Sequence, residues 1–226
     1  MVVVGSDSAS AAANPRPLAV PAIQQWTGSP GTFTLTTDSR IVVNTADQDK
    51  LSADASTFAA DLKTITGLQL PVNVAAEGKA GDIFLRLDTT TTQADEGYTT
   101  EVGSTADIRA KTATGVYWGQ QTLEQVLKAN PARVNLPNGT AIDGPTVAHR
   151  GVMLDLGRRY WAMDELKRQI RQMSWHKLNQ LHLHFTDNDA FRLQSTTYPG
   201  LAPSTGSYSH EDISTLVSCA RNSFKI

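Results

Sequence analysis

Cysteine is nearly absent. Cys219 is the one thiol in 226 residues, so no disulfide framework can form within the chain in any compartment. An excess of base is absent too. Twenty Lys and Arg stand against 22 Asp and Glu, a formal net charge of −2. A nucleic-acid partner asks for a basic face, and this balance argues against one. Apolar runs of about 18 residues are missing, which removes a membrane-spanning helix. The N-terminus lacks the basic region and the full apolar stretch of an export signal. Residues 1–17 open on three valines and continue in small and polar residues. They read as a leader or disordered segment, with Pro15 and Pro17 marking a linker. What is present is ordinary: 40% hydrophobic and 19% charged residues, enough to bury a core in one large or two modest domains.

Residues 18–148 read as one small α+β domain. GTFTLTTDSRIVVN (31–44) holds two strand-like segments around Asp38-Ser39. In LSADASTFAADLKTITG (51–67), Leu51, Ala55, Phe58, Leu62 and Ile65 recur at helical spacing, and Gly67 stops the helix. GDIFLRLD (81–88) reads as a strand, and YTTEVGSTADIRAKTA (98–113) as a hairpin turning near Gly103-Ser104. Residues 114–131 give a second helix ended by Pro131. The order suggests a sheet with both helices on one face. The acids here are scattered, as on a solvated surface.

The texture changes at His149. RGVMLDLG (150–157) is an apolar run of the kind that forms a buried parallel strand. A helix over 163–179 follows, then a strand over 179–187. Ser209 and Asp212 form a capping box for a helix over 209–221, and the terminal Phe-Lys-Ile reads as a third strand beginning. This β-α-β-α-β order implies a parallel sheet. Two and a half units cannot close an eight-stranded barrel of roughly 200–250 residues, so the chain reads as truncated.

In such sheets chemistry gathers at the C-terminal strand ends. One end carries Asp155, Arg158 and Arg159; the other carries Asp187, Asn188 and Asp189. An arginine at that mouth can fork two hydrogen bonds to vicinal hydroxyls or to a carboxylate. An aspartate can orient a histidine. Blander roles stand beside these. The arginines can be solvated residues before a helix, and Asp187 can start an Asx turn. His182 and His184 in LHLHFTD share one face of a strand, so a metal held by His182, His184 and Asp187 is a rival reading.

Three stretches resemble the opening of the catalytic barrel of glycoside hydrolase family 20, the β-N-acetylhexosaminidases. They are HRGVMLDLGRRYW (149–161), MSWHKLNQLHLHFTDNDAFRL (173–193) and YPGLAPSTGSYSHEDI (198–213). AVPAIQQWTG (19–28), SRIVVN (39–44) and ATGVYWGQQTLEQVL (113–127) are similar to the non-catalytic domain that precedes that barrel. The resemblance implies a domain over 18–148 and, over 149–226, the truncated start of a TIM (β/α)8 barrel. It implies retaining, substrate-assisted removal of terminal N-acetyl-D-hexosamine, with no cofactor. The partner would be a glycan ending in N-acetylglucosamine or N-acetylgalactosamine, and the location extracellular. Arg158 falls on the arginine that binds sugar hydroxyls, and Asp187 on the aspartate that holds a histidine near the acid. Asp155 falls on a motif aspartate with a structural role. His182 and His184 fall on positions that hold no metal. Asn188-Asp189-Ala190-Phe191 departs from the pattern of a second Asp and Gln-Gly-Trp. The catalytic Asp-Glu pair of the fourth strand lies beyond the C-terminus, so the chain alone is expected to be inactive. A non-catalytic carbohydrate-binding remnant is the alternative.

Overall fold

The computed structural model describes residues 12–226. They form two compact units that divide between Gly144 and Pro145. The expected change of domain fell between 148 and 149. Most of the leader expected over 1–17 lies outside the described residues. Its end is not loose, however. The Asn14 side chain donates to Ser29 O and Gly31 O, both at 2.7 Å, and the Trp26 indole N–H donates to Asn14 O at 3.0 Å. Gly28 makes this seat, since a Cβ there would lie 2.0 Å from Asn14 O.

The first unit is a seven-stranded mixed sheet. Its strands are β1 (Gln25–Thr34), β2 (Ile41–Asn44), β3 (Val72–Ala75), β4 (Ile83–Leu87), β5 (Tyr98–Val102), β6 (Ala106–Ala110) and β7 (Asn135–Asp143). Their spatial order is β1-β7-β5-β6-β4-β2-β3. From β6 to β3 the neighbours run parallel; the β1, β7, β5 and β6 neighbours run antiparallel. Helix α1 (Gln48–Thr66) lies along β2, β3 and β4, and α2 (Ala113–Ala129) along β4 to β7. Both bury their apolar residues in one cluster, with Phe58 and Leu62 of α1 and Val116, Trp118 and Leu127 of α2 set against Ile41, Val43, Leu85 and Ile108. Gly67 ends α1 in the left-handed region at φ 77°, its N–H bonded to Lys63 O, the expected stop.

Several buried polar groups in this unit are paired, although among the described residues the buried Gln120 amide has no hydrogen-bond partner. Arg40 forks onto Asp82 at 3.0 and 2.7 Å. Burial alone would raise the Asp82 carboxyl, but the Arg40 bonds and the Lys79 N–H hold it below its ordinary value. The Tyr98 hydroxyl donates to Asp143 and lies 2.6 Å from the Thr122 hydroxyl. Burial first, and then Asp143, push that phenol well above its ordinary range.

The second unit has two parallel strands, β8 (Gly151–Asp155) and β9 (Gln180–His184). Helix α3 (Met163–Trp175) connects them, and α4 (His210–Ser218) follows β9. One face of this small sheet carries Leu154, Leu181 and Leu183, which join Leu156, Leu166, Ile170, Tyr208 and Leu216 in a core. The expected helix over 163–179 ends early, at Trp175. Lys177 takes φ 58°, its N–H bonds Ser174 O, and the Leu178 N–H returns to Met173 O at 2.9 Å, a Schellman ending. The capping box of Ser209 and Asp212 forms as expected. The third strand does not. Cys219–Ser223 form a π-helical turn, and Phe224 is buried at 7% exposure in the second unit's core. An apolar tail read as a strand is here the lid of that core.

Candidate functional site

The register of β8 and β9 aligns Asp155 with His184 and ends both strands at one level. Beyond β8 the chain turns, and the Leu156 and Gly157 N–H groups both donate to His184 O, at 2.8 and 3.1 Å. This ties the two strand ends together. Gly157 is required by closeness. A Cβ there would lie 2.7 Å from the Asp187 backbone nitrogen. The two loops therefore touch backbone to backbone, which brings Arg158 and Asp187 to one mouth.

The guanidinium of Arg158 forks. Nη1 lies 3.1 Å from Asp155 Oδ2, and Nη2 lies 3.1 Å from Asp187 Oδ2. The Arg158 backbone N–H also donates to Asp155 Oδ1 at 3.0 Å. That backbone bond is the main reason the Asp155 carboxyl sits below its ordinary value; desolvation opposes it, and the Arg158 and His184 charges and the Gly157 N–H support it. Asp187 is held by its own N–H on Ala190 O at 3.0 Å and by the Asn188 N–H on Oδ1 at 2.7 Å. The carboxylate accepts from the next residue and not from the one two on, so the Asx turn expected for Asp187 is not made. His184 Nε2 stands 3.8 Å from Asp187 Oδ2. The side chain of Arg158 is 66% exposed and that of Asp187 18%, so the arginine is the reachable member. Exposed pairs of this kind stabilise by roughly 0.2–1 kcal/mol, too little to explain the fork as a fold requirement.

The rival metal trio does not assemble as expected. His182 and His184 do share a face, but His182 aligns with Met153, one step back along the strand. The residues whose ligand atoms converge within 4.8 Å are Asp155, His184 and Asp187. Arg158 already spans both of those carboxylates, so a cation would have to expel it. Arg159 faces elsewhere, over the Trp161 ring at 5.3 Å. Asp189 is exposed and takes no part in the fork.

Arg192 escaped the sequence reading. Its Nε donates to Leu156 O and its Nη1 to Gly206 O, both at 3.0 Å, while its backbone N–H bonds Phe185 O at 2.9 Å. It buckles the ends of β8 and β9 two residues short of Arg158 and Asp187. The signal was an arginine lodged between Phe191 and Leu193. Two adjacent Asp-Glu pairs occur in the chain, and both have other work. Asp95 pairs with Lys111 and Glu96 accepts from Trp118. Asp164 and Glu165 open α3, where Glu165 accepts from the Ala162 N–H.

Two family profiles cover nearly all the described residues. Residues 17–144 match glycosyl hydrolase family 20, domain 2, and residues 147–224 match the catalytic domain of the same family. The chain belongs to glycosyl hydrolase family 20. A β-N-acetylhexosaminidase of Cellulomonas fimi is 30% identical over 184 residues, 80% of this chain and 36% of that protein. A chitooligosaccharidolytic β-N-acetylglucosaminidase of Bombyx mori is 32% identical over 192 residues, 76% of this chain and 32% of that protein. Among solved structures, the family 20 β-N-acetylhexosaminidase of Streptomyces coelicolor A3(2) superposes with a TM-score of 0.81 at 30% identity, covering 94% of this chain and 45% of that one. A Streptomyces plicatus β-hexosaminidase variant in complex with the product GlcNAc gives 0.80 at 29% identity, over 94% of this chain and 46% of that one. This family 20 chain thus spans about a third of these two curated relatives.

Proposed function

We propose that this chain carries the non-catalytic domain and the opening of the (β/α)8 barrel of a β-N-acetylhexosaminidase. The reaction is hydrolysis of terminal, non-reducing N-acetyl-D-hexosamine from glycans, with retention. The observation that carries the reading is the Arg158 fork, with both carboxylates at 3.1 Å on the C-terminal ends of adjacent parallel strands. A planar guanidinium preset by two carboxylates offers parallel N–H donors to vicinal hydroxyls. Asp155 holds the arginine from behind by its backbone bond. Asp187 presents a carboxylate able to orient an imidazole near the leaving-group acid. In the substrate-assisted route the acetamido oxygen attacks the anomeric carbon while the leaving oxygen takes a proton. Water then attacks from the face the leaving group vacated, which gives net retention.

These roles concern binding and orientation. The 226 residues alone are expected to show no turnover of an aryl N-acetylglucosaminide. Turnover abolished by Arg158→Ala would overturn that expectation. The functional test is a chimera. Residues 17–224 replace the matching segment of the Cellulomonas fimi relative, and the product anomer is followed by NMR. The β-anomer appearing first supports the reading; a folded chimera without turnover contradicts it.

A further inference from the structure

Arg158 stands in the loop between Asp155, which ends β8, and Ala162, which caps α3. Its fork onto Asp155 and Asp187 is exposed and too weak to order that loop by itself. Both ends of the loop are held by side chains that follow β9 in the chain. At the near end the Arg192 Nε–H donates to Leu156 O at 3.0 Å. At the far end the Tyr208 hydroxyl donates to Trp161 O at 2.6 Å and accepts from the Trp161 N–H at 3.2 Å. Gly157 to Tyr160, with Arg158 among them, lie between these two grips. A hydroxyl that takes both the N–H and the C=O of one residue fixes that residue in direction as well as in distance.

The two gripping residues are themselves joined. The Tyr208 N–H donates to Arg192 O at 2.7 Å, and Arg192 Nη1 reaches Gly206 O at 3.0 Å. Gly206 permits the closeness, since a Cβ there would lie 3.3 Å from Arg192 Nη1 and 3.5 Å from Tyr160 Cγ. Tyr208 is buried, and its ring stacks on Tyr160 at 5.2 Å and meets Phe185 edge-on at 5.8 Å. Tyr160 belongs to the gripped loop, so the contact is made by ring as well as by hydroxyl. Tyr208 is buried and Arg192 is engaged with two backbone carbonyls, so both act on Arg158 through the loop.

We infer that Arg192 and Tyr208 are positioning residues: together they clamp both ends of the loop and hold the Arg158 guanidinium preset for the vicinal hydroxyls of a sugar. A donor fixed in advance needs no ordering when its ligand arrives. The inference rests on the sugar-binding reading of Arg158 for its ligand, but the clamp itself is measurable without a sugar.

Two measurements test it. Amide hydrogen exchange on the 226-residue chain compares the parent with Tyr208→Phe, which keeps the ring and removes the hydroxyl, and with Arg192→Lys, which keeps the charge and cannot reach both carbonyls. In each variant the Gly157 and Arg158 amides are expected to exchange about tenfold faster, while those of Leu166 and Ile170 in α3 stay within about twofold of the parent. Kinetics in the Cellulomonas fimi chimera then asks whether the effect passes through Arg158. Tyr208→Phe is expected to lower kcat/KM about fivefold in the parent chimera and by less than about twofold when Arg158 is already alanine. Unchanged exchange at Arg158 in both variants, equal acceleration at Arg158 and in α3, or equal kinetic losses in the two backgrounds would overturn the proposal. An Arg158→Ala chimera as active as its parent would overturn the sugar reading instead, and the exchange result alone then decides the clamp.

Discussion

Arg158 and Gly157 show how little separates a site residue from a structural one. Arg158 touches two carboxylates and is largely exposed, whereas Gly157 touches nothing a ligand could reach and yet sets the spacing. Adding a methyl at Gly157 places it against the Asp187 backbone, not against a flexible side chain. Gly157→Ala is expected to lower stability by about 1–3 kcal/mol. It should also shift the His184 and Asp187 NMR resonances more than those of α4; equal, small shifts at both would contradict the close approach. Asp155 gives a pH prediction. Its folded carboxyl titrates below the unfolded one. Its contribution is therefore present above the unfolded pKa of about 4 and is lost as pH falls through the lower folded value. Asp155→Asn should flatten the acid limb of the second unit's unfolding curve. An unchanged limb would mean that the Arg158 backbone bond does not favour the carboxylate.

Elements were legible where periodicity was clean. Leu51, Phe58 and Leu62 announced α1, and Gly103-Ser104 announced the β5–β6 hairpin. Strand β7 had no counterpart in the sequence reading, and it carries Pro137 and Asn138-Gly139, residues typical of turns. In the sheet, Pro137 pairs only with Thr32 of β1, past the last residue that β5 pairs, so its missing N–H costs no ladder bond. Gly139 takes φ 153°, and a Cβ there would lie 2.5 Å from the Trp26 ring, so both backbone and space call for glycine. The end of α3 was misjudged for a related reason. A left-handed Lys177 has no sequence signature, whereas a glycine would have had one. Lys177→Gly is expected to stabilise the unit by about 1 kcal/mol, measured by urea unfolding. A loss of stability would show that the lysine side chain, not its backbone, governs that ending.

At the scale of the whole chain, the two units have separate cores, and the candidate site belongs wholly to the second. The motif residues made that division readable. Arg158 and Asp187 stood at strand ends where parallel sheets place chemistry, and the structure brings them within one fork. The convergence of Asp155 with His184 was not readable because it rests on the register of β8 against β9, and the buckle by Arg192 rests on loop returns of which the arginine between Phe191 and Leu193 was the one trace. The account's central claim is that Arg158 grips the sugar. Steady-state kinetics of Arg158→Ala in the Cellulomonas fimi chimera tests it most directly. The prediction is a fall in kcat/KM of roughly a hundredfold, about 3 kcal/mol of lost transition-state binding. A kcat/KM within twofold of the parent chimera would contradict it.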